Sequence, residues 1–164
     1  MQSLLPLAER LSSLLRARGE TIAVAESSAG GLISAALLAV PGASAYFQGG
    51  AVVYTRTARE ALLGITDADM AGMRSSSEPY ARLLAARVRG RFGTDWGIAE
   101  TGAAGPTGNR YGDPAGHACI AIDGPVCMIR TVATGSADRA GNMRVFAAAL
   151  LELLINAVET NPTN

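Results

Sequence analysis

Short apolar stretches rich in β-branched residues alternate along this chain with longer stretches whose apolar residues recur at helical spacing, and glycine-bearing turns divide the two kinds. That alternation limits the fold more than any other feature. Thr21-Ile22-Ala23-Val24-Ala25 reads as a buried strand that opens into Glu26-Ser27-Ser28-Ala29-Gly30-Gly31. Apolar residues then continue at helical density from Leu32 to Val40, until Pro41-Gly42 breaks them. Strand followed by turn followed by helix is the repeating unit of α/β domains.

The same reading extends in both directions. Leu4, Leu7, Ala8, Leu11, Leu14 and Leu15 share one face of a predicted helix over 3–18, which Gly19 stops. Ala45–Tyr54 fits a strand with a bulge or a close backbone approach at Gly49-Gly50. A helix over Ala58–Leu63, capped by Thr55 or Thr57, closes at Gly64, and a turn with Asp67 and Asp69 follows. Ser77-Glu78-Pro79 starts another helix, with Leu83, Leu84 and Val88 inward and Arg82, Arg87, Arg89 and Arg91 toward water. Asp95–Ala99 is a short strand, and Glu100–Gly116 reads as a long glycine- and proline-rich loop. Ala118–Ile122 and Val126–Thr134 form a hairpin about Asp123-Gly124-Pro125. The last helix begins near Asp138 and carries Met143, Phe146, Leu150, Leu153, Leu154 and Ala157 at core spacing. The expected fold is a three-layer α/β/α sandwich with a mixed central sheet, one domain over 1–160 and a frayed tail over 161–164.

Composition removes several functions. A chain of 164 residues buries roughly 70% of its unfolded surface, so apolar packing alone can hold it. Its 14 basic and 14 acidic side chains cancel, which argues against a surface that tracks nucleic-acid phosphates. Every basic residue is arginine. Without lysine there is no Schiff base, no P-loop lysine and no serine–lysine dyad. Cys119, Cys127 and the single His117 are too few for a closed zinc site, and no metal or cofactor is expected. The cysteines read as small buried hydrophobes, or as neighbours on paired strands. The N-terminal stretch lacks the pattern of a signal peptide, and no apolar run reaches the ~18 residues of a membrane span. A cytoplasmic protein without a membrane partner is the expectation.

Chemistry then has to come from loops and hydroxyls. AESSAGG and ETGAAGPTG are small-residue loops at strand ends, where open α/β sheets bind ligands. Backbone amides of such loops suit an anion such as phosphate, with Arg139 or Arg110 adding charge-assisted contacts. Ser27, Ser28, Ser44, Ser77 and Thr101 carry hydroxyls that could be nucleophiles; of these Ser77 reads as only a helix cap. Tyr54, Glu26 and Glu100 are candidate proton carriers, and His117 reads as structural.

Four motifs carry a resemblance. AESSAGG, VPGASAYFQGGAVVYT, TGAAGPTG with Gly116 downstream, and ADRAGNMRVF occur in the order seen in the C-terminal domain of the competence/damage-inducible CinA proteins, and the chain resembles that family over nearly its whole length. The resemblance implies an α/β/α fold, a homo-oligomer and, as in the family's active members, hydrolysis of the carboxamide of nicotinamide mononucleotide. It sets the family's ESCTGG loop on Glu26–Gly31, so that its cysteine and threonine become Ser28 and Ala29. Its serine falls on Ser44, its tyrosine on Tyr54, its TGxAGP loop on Thr101–Pro106 and its late arginine on Arg139. The lysine that active relatives place five residues after the tyrosine is Arg59 here. Arginine keeps its proton above a pKa of about 12 and cannot serve as a base.

The implied catalytic set is Ser44 as nucleophile, Tyr54 as proton carrier, Ser27, and Arg59 at the lysine position; Glu100, unusual directly before the TG turn, is a candidate proton carrier in place of the lysine, or a residue that repels a phosphate or pairs with an arginine. The implied binding set is Gly30, Gly31, Thr101, Gly102, Gly105, Pro106, Gly108 and Arg139, with loop amides and Arg139 on phosphate and amides of Ser27–Gly31 on an oxyanion. The ligand is a nucleotide or another small phosphate-bearing molecule. Loss of the lysine also admits an alternative, a nucleotide-binding or regulatory module without turnover.

Overall fold

The computed structural model describes residues 2–161. Five strands and five helices follow in the order α1 (Leu5–Arg18), β1 (Ile22–Glu26), α2 (Leu32–Leu38), β2 (Phe47–Val52), α3 (Arg56–Leu63), α4 (Glu78–Phe92), β3 (Trp96–Ala103), β4 (His117–Asp123), β5 (Met128–Ala133) and α5 (Arg139–Thr160). A single 3₁₀ turn, Ala43–Ala45, precedes β2. The sheet order is β2-β1-β3-β4-β5; β1 is parallel to both neighbours, and β4 is antiparallel to both β3 and β5. The sheet is therefore mixed, as expected.

All five residues of β1 are buried, as a central strand covered on both faces requires. Its alternation separates two cores. Ile22 and Val24 face Leu11, Leu15, Ile33, Leu37 and Leu154 of α1, α2 and α5. Ala23 and Ala25, with Ala99 and Ala121, face Leu84 and Val88 of α4. The α4 side is built from small residues because the helix lies close: a Cβ on Gly97 would stand 2.2 Å from the Ala85 carbonyl oxygen. Helix α5, long and apolar enough to cross a membrane by length and composition, has 61% of its most apolar window buried. It packs on α1, α2 and the sheet.

Local signals mostly act where the sequence places them. Thr55 caps α3, accepting from Ala58 N at 3.1 Å, and Ser77 caps α4, accepting from Tyr80 N at 3.4 Å. The register shift between β1 and β2 leaves Gln48 as a bulge beside Gly49-Gly50. Arg82 and Arg91 are exposed, but Arg87 binds Asp69 at 2.9 Å and Arg89 binds Asp123 at 3.2 Å. Leu83 is only half-buried.

Other features depart from the sequence reading. Strand β3 does not end at Ala99: Glu100, Thr101, Gly102 and Ala103 continue it, opposite Ile120, Cys119, Ala118 and His117. Glycine and alanine carry little strand preference, so only the partner strand reveals it. The irregular segment is 104–116. The second hairpin strand starts at Met128, because Val126 and Cys127 belong to the turn. Both cysteines are free; Cys119 is buried and Cys127 exposed, and Cys119 pairs in register with Thr131. Asn161 is held, its carbonyl accepting from Arg18 at 2.8 Å, and the rest of the expected tail lies outside the described residues.

Candidate active site

Strands β1, β2 and β3 run parallel, so their C-terminal ends open on one edge of the sheet. The chain leaves β1 for β2 on one side and returns to β3 on the other, the switch point at which open sheets bind ligands. Alternation continues beyond β1 and divides its two serines. Ser27 lines a cavity of about 660 Å³ on the α4 side, and Ser28 lines one of about 250 Å³ on the other. Tyr54, Gly102 and Asn109 line both, making them two lobes of one groove.

Charge is concentrated here although the chain is neutral. Arg56, Arg59, Arg74 and Arg110 line the larger lobe against one acid, Asp67. Arg139 lines the smaller lobe, whose walls hold no acidic side chain. Arg59 is buried; its Nε donates to the Ile65 carbonyl at 3.2 Å and a terminal nitrogen binds Asp67 at 3.1 Å. Asp67 also pairs with Arg56. Arg74 is held by Asp113 and stacks with its charge 5.5 Å from the Tyr111 ring.

Two buried carboxylates underlie the groove, side by side in the β1–β3 register. Glu26 accepts from the amides of Gly31, Ile33 and Ser34 at 2.9, 3.0 and 2.7 Å, and from Ser34 Oγ at 2.7 Å. It thus closes the N-terminus of α2 as a carboxylate cap. Glu100 accepts from Ser27 N at 3.2 Å and Ala29 N at 2.7 Å on one oxygen, and from Ser28 Oγ on the other. Burial pushes Glu100 up from 4.5 to about 7; the Ser28 hydroxyl and the two amides oppose that rise, and neighbouring Glu26 adds to it. These contacts revise the expected oxyanion site, since the amides of Ser27, Ala29 and Gly31 are already bound to the protein's own carboxylates.

The β3–β4 segment keeps its amides open. Gly105, Thr107 and Gly108 N–H groups have no partner among the described residues. Arg139 fixes this segment against the groove, donating to the Gly105 carbonyl at 2.7 Å and to the Tyr54 hydroxyl at 3.2 Å, with its charge 5.8 Å from the Tyr54 ring. Thr101 Oγ1 accepts from Ser76 N at 3.2 Å. Ser76 holds φ at +57°, a conformation uncommon for a non-glycine residue and found disproportionately at functional sites.

The structure therefore brings Ser27, Tyr54, Arg59, Thr101, Gly102, Gly105, Gly108 and Arg139 to one groove, with Glu100 directly beneath it. Gly30, Gly31 and Pro106 line neither lobe. Ser44 is separated further. It is exposed on the 3₁₀ turn before β2, and that strand puts about 20 Å between it and Tyr54 at ~3.3 Å per residue. Within one chain it cannot reach the groove. The sequence reading did not assign Asn109, Arg56 or Arg74 to the site, and treated Ser28 only as one hydroxyl among five. Ser28 was detectable: strand periodicity carried past Glu26 sends adjacent serines to opposite faces. No cluster of three or more His, Cys, Asp or Glu positioned for a metal occurs among the described residues.

Comparison with known proteins agrees with this architecture. The model of the CinA C-terminal domain matches residues 4–158. A CinA-like protein of Synechococcus sp. (strain CC9902) is 44% identical over 118 residues, 72% of this chain and 28% of its own length. One from Anaeromyxobacter sp. (strain K) is 40% identical over 148 residues, 90% of this chain and 36% of its own. The chain thus spans about a third or less of these relatives. Among solved structures, the competence/damage inducible protein CihA of Agrobacterium tumefaciens superposes with a TM-score of 0.88 at 28% identity, covering 96% of both chains. A competence-damaged protein (CinA) superfamily protein from Enterobacter cloacae gives 0.87 at 29%, covering 94% of this chain and 92% of its own. On these matches, in sequence and in three dimensions, the chain belongs to the CinA C-terminal domain family.

Proposed function

We propose that the groove binds a pyridine nucleotide or a related small phosphate-bearing amide, and that the protein hydrolyses its carboxamide. One observation supports this reading above the rest: loops distant in sequence meet at a single edge of the sheet, in a groove lined by five arginines and one acid. Open amides of Gly105, Thr107 and Gly108, reinforced by Arg139, suit a phosphate. The shared wall at Tyr54 gives an aromatic surface beside it. The reading places the protein in the cytoplasm, as a homo-oligomer, acting on a free nucleotide without metal or cofactor.

Purified protein incubated with nicotinamide mononucleotide should release ammonia and the corresponding acid. No ammonia from any pyridine nucleotide would refute hydrolysis. A second reading, binding without turnover, is favoured by the state of Arg59, whose guanidinium is tied to Ile65 and Asp67 where active relatives have a lysine. Nucleotides that raise the melting temperature without ammonia release would select that reading.

A further inference from the structure

We propose that Ser28 is the nucleophile for the amide and that Glu100 is the base that takes its proton. The proposal rests on the hydrolase reading above and gives it a reacting pair that contains neither lysine nor histidine. Ser28 is almost wholly buried, yet it forms part of the smaller lobe's wall. Its hydroxyl donates to Glu100 Oε1. The amides of Ser27 and Ala29 both bind Oε2, which turns Oε1 toward the serine. The carboxylate is thereby oriented before any ligand arrives, as an activating base must be.

Two other groups do not serve as its base. Arg59 cannot accept a proton, and His117 Nε2 lies 3.0 Å from the Ser76 carbonyl on the opposite face of the sheet. Around Glu100, β1 presents Glu26, β4 presents Ile120 across the ladder, and the loop after β1 presents Ser28 and amides. The ionisable neighbour is Glu26, and no cation pairs with Glu100 among the described residues. With its carboxyl raised to about 7, Glu100 accepts a proton readily at neutral pH and returns it readily.

The chemistry balances with water as co-reactant. Ser28 Oγ forms a bond to the carboxamide carbon while its proton passes to Glu100. The C–N bond breaks, and the departing nitrogen takes that proton and leaves as ammonia. Water, deprotonated by Glu100, then attacks the ester on Ser28. The ester C–O bond breaks, Ser28 recovers the proton, and the carboxylic acid departs.

The test uses the intact protein and a small probe, phenylmethylsulfonyl fluoride, which labels an activated serine with loss of fluoride. Ser27, Ser28, Ser34 and Ser44 share one tryptic peptide, so fragmentation must assign the label. Expected is a label on Ser28, at a rate that falls as pH drops below about 7 and that Glu100→Gln lowers about 10²-fold or more, the usual worth of a general base. Glutamine keeps the fold readable: its oxygen accepts from both amides while its nitrogen donates to Ser28. A label on Ser44 or Ser27, no label, or an unchanged rate in Glu100→Gln would overturn the pairing. Ammonia release from nicotinamide mononucleotide, followed in parallel, separates the two levels. Release that survives Ser28→Ala overturns the nucleophile alone, whereas a labelled Ser28 with no release overturns the substrate alone.

Discussion

Glu100→Gln should stabilise the protein while disabling it. Glu100 has no solvent exposure, and its carboxyl is raised from 4.5 to about 7, chiefly by desolvation. Between those two values the folded protein holds a proton that the unfolded chain has released. The associated stability is therefore complete below about pH 4.5 and is lost as pH rises through about 7. At 1.36 kcal/mol per pH unit the ionised form is worse off by about 3 kcal/mol in the folded state. Glutamine keeps the amide and Ser28 contacts and carries no charge, so it escapes this penalty. For a domain of this size about 3 kcal/mol corresponds to roughly 6–12 °C in melting temperature. Thermal melts of both proteins at pH 8 and pH 4.5 supply the test, because other titrating groups cancel in the difference. Glu100→Gln should melt well above the parent at pH 8 and near it at pH 4.5. Equal melting temperatures at pH 8, or a variant that gains most in acid, would refute a buried carboxylate under strain from desolvation.

Three further outcomes follow from the same contacts. Arg139→Ala should weaken nicotinamide mononucleotide binding by about 10- to 100-fold, the worth of a charge-assisted hydrogen bond, as measured by titration calorimetry. Glu26→Ala strips the amides of Gly31, Ile33 and Ser34 of their acceptor and should cost at least about 2 kcal/mol in urea unfolding. Arg59→Lys should leave ammonia release within a few-fold of the parent if Glu100 handles the proton; a gain of about 10² would place the base at position 59 instead.

Much of this architecture was legible in the residues. Thr21–Ala25 read as a covered strand, Thr55 or Thr57 and Ser77 as caps, and Gly49-Gly50 as a bulge or close backbone approach, because each signal is local. Residues 100–103 were illegible for the opposite reason: a glycine- and alanine-rich segment becomes a strand only when β4 lies beside it, and Gly102 permits that approach, a Cβ there standing 2.4 Å from the His117 carbonyl oxygen. The site was half legible. Motif order brought Tyr54, Thr101, Gly105 and Arg139 together, but the resemblance set Ser44 in the same catalytic group, and strand β2 holds it apart from Tyr54 within one chain. Nor does any pattern announce that Glu26 and Glu100 bind the glycine-loop amides themselves. That follows from parallel pairing of β1 with β3, which aligns the two carboxylates at the sheet edge.

The most direct test is a crystal structure of the protein with bound nicotinamide mononucleotide. The phosphate should sit against the Gly105, Thr107 and Gly108 amides and Arg139, with the carboxamide in the lobe that Ser28 lines. A nucleotide bound elsewhere, with this groove filled only by solvent, would contradict the assignment of the groove as the site.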